Sequence, residues 1–127
     1  MAELLSPDQI FITKLTEIIQ ANLQNENFGV TELARESGMS LYTISRKLYS
    51  IKNKRVSQFI REIRLRRAVE LLRNGTFTAS EVSYKVGFGS PAYFNKCFRE
   101  FFGCTPGDIH SQTFMGLIKG NCPGNKN

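Results

Sequence analysis

The sequence repeats one pattern at an offset of about fifty residues. Eight positions of the first copy recur in the second: Glu32, Leu33, Gly38, Ser40, Ile44, Arg46, Leu48 and Asn53 correspond to Glu81, Val82, Gly87, Ser90, Phe94, Lys96, Phe98 and Gly103. The second copy has one extra residue between its glycine and its serine. Because each copy carries its own set of apolar positions, the repeat predicts two similar subdomains in one chain.

Each copy has the pattern of a helix, a tight turn and a second helix. Gly38 and Gly87 stand where the chain reverses, and glycine accepts the positive φ that such a reversal requires. Ser40 and Ser90 then open the second helix, since a serine hydroxyl caps the first free amides of a helix. The pattern is therefore that of a helix-turn-helix unit, present twice.

Helical signals extend over the rest of the domain. Ser6 to Gln9 form a capping box ahead of apolar residues at three- and four-residue intervals, which predicts a helix over about 7–24. No segment alternates apolar and polar residues, so we expect an all-α fold of about seven helices. The predicted domain covers 1–110, with the first helix-turn-helix at about 29–53, a long linker helix at 56–73, the second helix-turn-helix at 78–103, a last turn at 105–110 and a flexible tail at 111–127.

Positive charge is concentrated in one part of the chain. The whole chain carries 17 Lys and Arg against 11 Asp and Glu. Residues 1–29 hold one base and four acids, net −3, whereas residues 30–110 hold fourteen bases and seven acids, net +7. From Arg46 to Arg67 there are nine bases and a single acid, Glu62. This distribution fits a polyanionic partner, and it equally fits a solvated helix face that keeps the protein soluble, so charge alone does not decide between them.

Length and composition exclude several classes of protein. A chain of 127 residues provides one domain. No run of about 18 apolar residues exists and the first residues do not resemble a secretion signal, so we expect a cytoplasmic protein with no membrane partner. Cys97, Cys104 and Cys122 lack paired zinc-ligand spacing and His110 is the single histidine. We therefore expect reduced thiols, no metal and no cofactor.

Two helix-turn-helix units joined by a basic helix predict binding to double-stranded DNA. In such units the second helix lies in the major groove, with its N-terminal half toward the base edges. A linker of about eighteen residues is roughly 27 Å long, which suits recognition helices about 34 Å apart, one turn of duplex. We therefore expect this chain, as a monomer, to occupy two adjacent major grooves.

The stretch from Ser57 to His110 contains LRRAVELLRNG, SEVSYKVGF, SPAYFNKCFREFFG and TPGDI, and resembles the DNA-binding domain of AraC-type transcription regulators. Residues 8–110 share the resemblance, and SRKLYS is similar to output domains of hybrid two-component regulators. It implies seven helices, activation of transcription and contact with RNA polymerase. It also makes Arg64 part of the fixed framework of the family, where a long stem can pack along apolar surface while its head pairs with an acid. Phosphate contact is the alternative for Arg64, as it is for Arg61 and Arg67 on the same side of the linker helix. Asn53 and Val56 differ from the glycine and proline usual there, which leaves the base preference open.

On the first recognition helix, Ile44 and Leu48 face the core by their spacing. Arg46 is the best candidate for a base, because its planar guanidinium can bond guanine O6 and N7 together, worth about 1–3 kcal/mol; phosphate is the alternative. Tyr42 has two interpretations, contact with a thymine methyl or sugar and plain cover of the helix surface. The base-contact candidates are Tyr42, Thr43, Ser45 and Arg46, and the phosphate candidates are Ser40, Lys47 and Arg55.

On the second recognition helix, Phe94 and Phe98 face the core. Asn95 suits adenine, and Lys96 suits guanine or phosphate. The base-contact candidates are Ala92, Asn95 and Lys96, and the phosphate candidates are Thr78, Ser90 and Arg99. Thr78 and Ser90 lie at helix starts, where amides attract phosphate but the hydroxyls also serve as caps.

Other functions fit the residues less well. No carboxylate pair, Cys–His pair or phosphate-binding glycine loop occurs at useful spacing, so we expect no enzyme. The A-form groove of RNA is too narrow for such a helix. The predicted function is a sequence-specific DNA-binding transcription regulator that activates. The alternatives are a helical protein-interaction module, which would expose apolar stripes, and a non-specific binder of the DNA backbone.

Overall fold

A computed structural model describes residues 4–111, with side chains up to Ile109, and every regular element in this part of the chain is a helix. The elements are α1 (Pro7–Ala21), α2 (Val30–Ser37), α3 (Leu41–Lys52), α4 (Val56–Asn74), α5 (Ala79–Lys85), α6 (Pro91–Phe102) and α7 (Pro106–Ser111). The predicted fold class, two helix-turn-helix units and one long helix between them in the sequence, is confirmed. Beyond Ser111, the predicted tail lies outside the described residues.

Side-chain caps set the helix starts. At α1 the Ser6 Oγ accepts from the Gln9 amide at 3.1 Å, and the Gln9 side chain accepts from the Ser6 amide at 2.8 Å. Thr78 and Glu81 form the same reciprocal pair at α5. These bonds satisfy amides that have no partner inside the helix.

The end of α1 differs from the prediction. The helix stops at Ala21, although the apolar spacing extended it to about 24. The Asn22 side-chain amide donates to the Ile18 carbonyl at 2.8 Å, and the Asn22 backbone amide donates to the Ile19 carbonyl. Asn22 thus closes the last turn, a local competition that apolar spacing does not reveal.

The start of α2 depends on one carboxylate. Glu32 accepts from the Gly29 amide at 2.9 Å, and this bond is the main reason that the pKa of the Glu32 carboxyl is lowered. Because the pKa is lowered in the folded state, this bond stabilises the fold at pH values above the unfolded-state pKa of Glu32. Its contribution to stability is lost as the pH falls through the folded-state pKa.

The described chain divides into two compact units. Unit 1 holds the chain up to Leu23 and Asn27–Ile63, and unit 2 holds Gln24–Glu26 and the chain from Arg64 onward. The core of unit 1 consists of Phe11, Leu15, Ile19, Phe28, Leu33, Ile44, Leu48, Val56, Phe59, Ile60 and Ile63. The core of unit 2 consists of Leu65, Ala68, Leu72, Val82, Val86, Phe94, Cys97, Phe98, Cys104 and Ile109. The first half of α4 therefore serves one core and its second half the other.

Arg64 is buried within unit 2, with 5% of its surface exposed. Its guanidinium donates to the Val86 carbonyl at 2.7 Å and to the Asn25 carbonyl at 3.1 Å. Burial lowers the pKa of this guanidinium. The Arg64 stem is buried as predicted. Its guanidinium donates to main-chain carbonyls, and these partners were not predicted from the sequence. These bonds hold the short segment Gln24–Glu26 and the end of α5 against α4.

The turn between α5 and α6 favours glycine through its backbone. Gly89 has φ +70°, in the left-handed region that side chains disfavour. A Cβ on Gly89 would lie 1.7 Å from Oε1 of Glu26, so the flexible end of that side chain would have to move. This is the turn in which the second copy of the repeat has its extra residue.

The prediction of reduced thiols is wrong for Cys104, which is disulfide-bonded. Sequence spacing alone does not show which cysteines a fold brings together. Cys97 is free and buried among core residues of α6, as its spacing predicted. The prediction for Cys122 lies outside the described residues.

Two further findings apply to the described range alone. No group of three or more histidine, cysteine or acidic side chains there is arranged to hold a metal ion. None of its helices combines the length and the apolar character needed to cross a bilayer.

We expect Arg64→Met to lower the free energy of unfolding by about 3 kcal/mol, because the buried bond to the Val86 carbonyl and the part-buried bond to the Asn25 carbonyl lose their charged donor. Arg67→Met is the matched control. Its guanidinium is exposed and pairs with Glu70 on the same helix, so it should change stability by less than about 0.5 kcal/mol. Urea unfolding followed by circular dichroism measures both, and equal losses for the two variants would contradict this role of Arg64.

Candidate nucleic-acid interface

The helix α3, which is the second helix of the first helix-turn-helix, presents a defined outward stripe. Ser40 caps α3 by accepting from the Thr43 amide at 3.1 Å, and Ile44 and Leu48 are fully buried as predicted. On the opposite side of α3, at helical spacing, lie Tyr42, Ser45, Arg46 and Tyr49. Tyr42 is 71% exposed and Tyr49 61%. The helix therefore has one face in the core and one large aromatic and basic face in solvent.

Arg46 and Tyr42 lie together on this stripe. The guanidinium carbon of Arg46 is 5.6 Å from the centroid of the Tyr42 ring, within the range of a cation–π interaction. At an exposed site such a pair is worth about 0.5–1 kcal/mol. The pair thus favours one placement of the Arg46 side chain, over the N-terminal half of α3.

Two other candidates on α3 contact their own unit. The Thr43 hydroxyl oxygen accepts from the Ser40 hydroxyl at 3.0 Å, so it takes part in the helix cap. The Lys47 ammonium lies 5.2 Å from the centroid of the Phe11 ring of α1. Both residues flank the outward stripe, and their contacts with DNA stay predictions.

The nine bases between Arg46 and Arg67 do not form one solvated face. Lys54 is ion-paired with the buried Glu62, which also accepts from Gln58 at 3.0 Å. Five other bases of this run are exposed and have no ion pair in the described part of the chain: Arg46, Lys47, Lys52, Arg55 and Arg66. Four of these five lie on α3 and just before α4, within unit 1, and Arg66 lies in unit 2.

The helix α6, which is the second helix of the second helix-turn-helix, presents a different outward face. Ser90 caps α6 by accepting from the Tyr93 amide at 3.3 Å, and Phe94 and Phe98 are fully buried as predicted. Tyr93 is about half exposed and its ring packs 5.8 Å from that of Phe88. The exposed residues at positions i, i+3, i+4 and i+7 of α6 are Ala92, Asn95, Lys96 and Arg99. This face is polar and basic, and the structure brings all of its predicted candidates to one side.

The remaining candidates for phosphate contact lie at helix starts. Ser40, Thr78 and Ser90 each accept from an amide of their own helix, so their hydroxyls serve as caps. The Arg55 carbonyl accepts the first bond of α4, from the Phe59 amide, while the Arg55 side chain is exposed. Contact of these side chains with phosphate stays a prediction.

Sequence reasoning missed Tyr49, which lines a cleft on the outward side of α3. This feature, the α3 cleft, has a volume of about 750 Å³. Its lining residues are Val30, Leu41, Tyr42, Ser45, Arg46, Tyr49, Ser50, Lys54, Arg55, Val56 and Ser57. Tyr49 follows Tyr42 by seven positions, two helical turns, and this spacing is the signal that places it on the same stripe.

Known proteins share this sequence pattern. A family model described as a helix-turn-helix domain matches residues 33–112. A protein of Formosa agariphila named histidine kinase P4 is 38% identical over 107 residues, which cover 84% of this chain and 8% of that protein. The chain spans between 8% and 37% of the length of the first curated relatives that it matches.

Known structures share the fold. A DNA-binding transcriptional dual regulator from Escherichia coli K-12 is 26% identical with a TM-score of 0.76, covering 88% of this chain and 97% of that one. The DNA-binding domain of AdpA, a global transcriptional factor solved in complex with a target DNA, is 25% identical with a TM-score of 0.70, covering 79% and 89%. Taken with the duplicated helix-turn-helix and the family match, these likenesses show that the chain belongs to the AraC-type family of helix-turn-helix domains.

Proposed function

We propose that this chain is the sequence-specific, double-stranded DNA-binding domain of a transcription regulator, with α3 and α6 as recognition helices. The observation that carries the proposal is the shared design of these two helices. Each follows a glycine turn and a serine cap, buries one face completely and exposes the other with basic side chains. The AdpA domain, whose fold is similar, was solved with DNA bound.

The residues divide into readers of bases and holders of the backbone. Arg46, favoured in one placement by the Tyr42 ring, suits guanine O6 and N7. On α6, Asn95 suits adenine, and Lys96 suits guanine or phosphate. Exposed cations at the edges of the two faces, Lys47, Arg55 and Arg99, suit phosphates, together with the caps Ser40, Thr78 and Ser90.

We also propose that one monomer occupies two successive major grooves. The helix α4 has 19 residues and connects the two units along the chain. At 1.5 Å per residue its length is roughly 28 Å, close to the pitch of about 34 Å between successive turns of the duplex. This similarity of lengths supports a site made of two short elements on one face of the DNA.

The wider role that we propose is that of an output domain in the cytoplasm, which activates transcription by contact with RNA polymerase. The support is the resemblance to AraC-type regulators and the 38% identity with part of a protein named histidine kinase. We assign this chain no catalytic step of its own.

The first test uses fluorescence anisotropy at several salt concentrations, on a duplex selected from random sequences. We expect affinity to fall steeply with salt, because bound phosphates release their counterions. Arg46→Ala should lose about 1–3 kcal/mol of discrimination at one guanine. Arg67→Ala, which removes the same charge from an arginine paired with Glu70, should keep that discrimination.

The outcomes separate the alternatives. An equal loss of affinity of Arg46→Ala for every sequence would make Arg46 a phosphate contact instead of a base reader. Binding without any sequence preference would reduce the protein to a backbone binder. No binding at low salt would overturn the proposed function and favour a protein-interaction module.

Spacing tests the two-groove proposal. Insertion of five base pairs between the two elements of the selected site turns one element to the opposite face of the duplex. We expect at least a tenfold loss of affinity for a monomer held by a single stiff helix, since only one unit can then bind its element. Affinity that is unchanged by the insertion, measured by the same anisotropy assay, would contradict simultaneous occupation of two grooves.

Transcription in a purified system tests activation. With RNA polymerase and a weak promoter carrying the selected site upstream, we expect the protein to raise transcript yield several-fold. A promoter with a scrambled site is the control and should not respond. Lower yield on the intact site would show repression, and an unchanged yield would show that this chain binds DNA without recruiting polymerase.

A further inference from the structure

The α3 cleft has more apolar surface than a helix that reads only polar base edges requires. Leu41 is 39% exposed, Tyr42 71% and Tyr49 61%, and all three line the cleft. Exposed apolar side chains that cluster on a protein surface often mark a contact site, whereas apolar side chains scattered singly do not. Tyr49 has no part in the base and phosphate contacts proposed above, so its exposure at the cleft calls for an occupant.

The charge around the cleft restricts that occupant. Arg46, Lys54 and Arg55 line it, and none of its lining residues is acidic. The Lys54 ammonium is directed to Glu62, which is buried and outside the lining. The occupant therefore combines small apolar projections with negative charge close beside them.

Duplex DNA meets both requirements through thymine. The thymine 5-methyl group is the apolar group that bases display in the major groove, and phosphates flank it on both strands. An acidic peptide with aromatic side chains also combines these features, but the cleft lies on the outward face of a recognition helix whose neighbouring Arg46 suits guanine. The DNA occupant thus uses the cleft and Arg46 in one contact.

The second unit provides a contrast within the same chain. The exposed face of α6 consists of Ala92, Asn95, Lys96 and Arg99, with one small apolar residue among hydrogen-bonding groups. A face of that composition reads bases through hydrogen bonds. The two copies of the repeat have kept the same fold and acquired faces of different chemistry.

We propose that unit 1 recognises thymine by apolar contact, with thymine 5-methyl groups packed against Tyr42 and Tyr49 in the α3 cleft, and that Tyr49 is a specificity-determining residue. This inference rests on the proposed function and deepens it. It makes the α3 element a thymine-containing sequence next to the guanine read by Arg46. The α6 element depends less on methyl groups, because Ala92 is the one apolar side chain among its base-contact candidates.

Replacement of thymine by uracil tests the inference, because it removes the 5-methyl group and leaves base pairing intact. The α3 element is identified as the one in which Arg46→Ala loses discrimination. Uracil at single thymines of that element should weaken binding about fourfold for each methyl in contact, the size expected for one buried methyl-sized group. The same replacement in the α6 element should change affinity by less than about twofold at every thymine except one that contacts Ala92.

The variant Tyr49→Ser assigns the effect to the cleft. We expect it to bind the thymine operator more weakly and to lose the response to uracil at the methyl that Tyr49 contacts. Tyr84→Ser is the matched control, since Tyr84 is also exposed, at 54%, but lies on α5 outside the cleft. That variant should keep the full response, and circular dichroism should show both variants folded.

The failures of the two proposals are distinguishable. Specific binding that does not respond to uracil in either element overturns the inference and leaves the proposed function intact. The absence of any specific binding overturns both. If Tyr49→Ser leaves DNA affinity and the uracil response unchanged but abolishes activation with polymerase, the cleft holds a protein segment and the thymine assignment is wrong.

Discussion

The buried guanidinium of Arg64 is the interaction on which much of unit 2 depends. A charge in the interior requires partners, and here carbonyls from two distant parts of the chain, Asn25 and Val86, supply them. The bond to Val86 closes the end of α5, and the bond to Asn25 holds the segment before α2 against α4. The side chain of Glu26, in the same segment, lies beside Gly89 in the turn before α6.

The helix α4 carries a second constraint, because it supplies apolar residues to both cores. Val56 and Ile63 belong to one core, and Leu65 and Leu72 to the other. Residues buried in a core are not available to a ligand, and the outward faces of α3 and α6 are the surfaces to which we propose to assign DNA recognition. Each of these helices is fixed by two fully buried side chains and a serine cap, so its exposed side chains project from a rigid support.

Local features of the fold were predictable, and features that join distant residues were not. The caps at Ser6 and Thr78 join residues three positions apart, and the buried residues of α3 and α6 are four positions apart. Both patterns can therefore be recognised in the sequence alone. The end of α1 was misjudged because Asn22 competes with the next helical turn. The disulfide at Cys104 and the carbonyl partners of Arg64 depend on which segments meet in space. The candidates on α3 and α6 are exposed or half-buried, their contact with DNA stays a prediction, and Tyr49 was overlooked among the exposed residues of α3.

The sequence by itself determined the duplicated helix-turn-helix, the helix boundaries to within a few residues and the inward residues, since all of these follow from spacing along one chain. Only the tertiary structure decided which charges remain available to a ligand. Lys54 is paired with Glu62 and Arg64 is buried, while Arg46 and Arg55 stay in solvent beside the α3 cleft. The reason is physical: a charge is neutralised or left free by the groups that packing brings within a few ångströms, and spacing along the chain does not specify them.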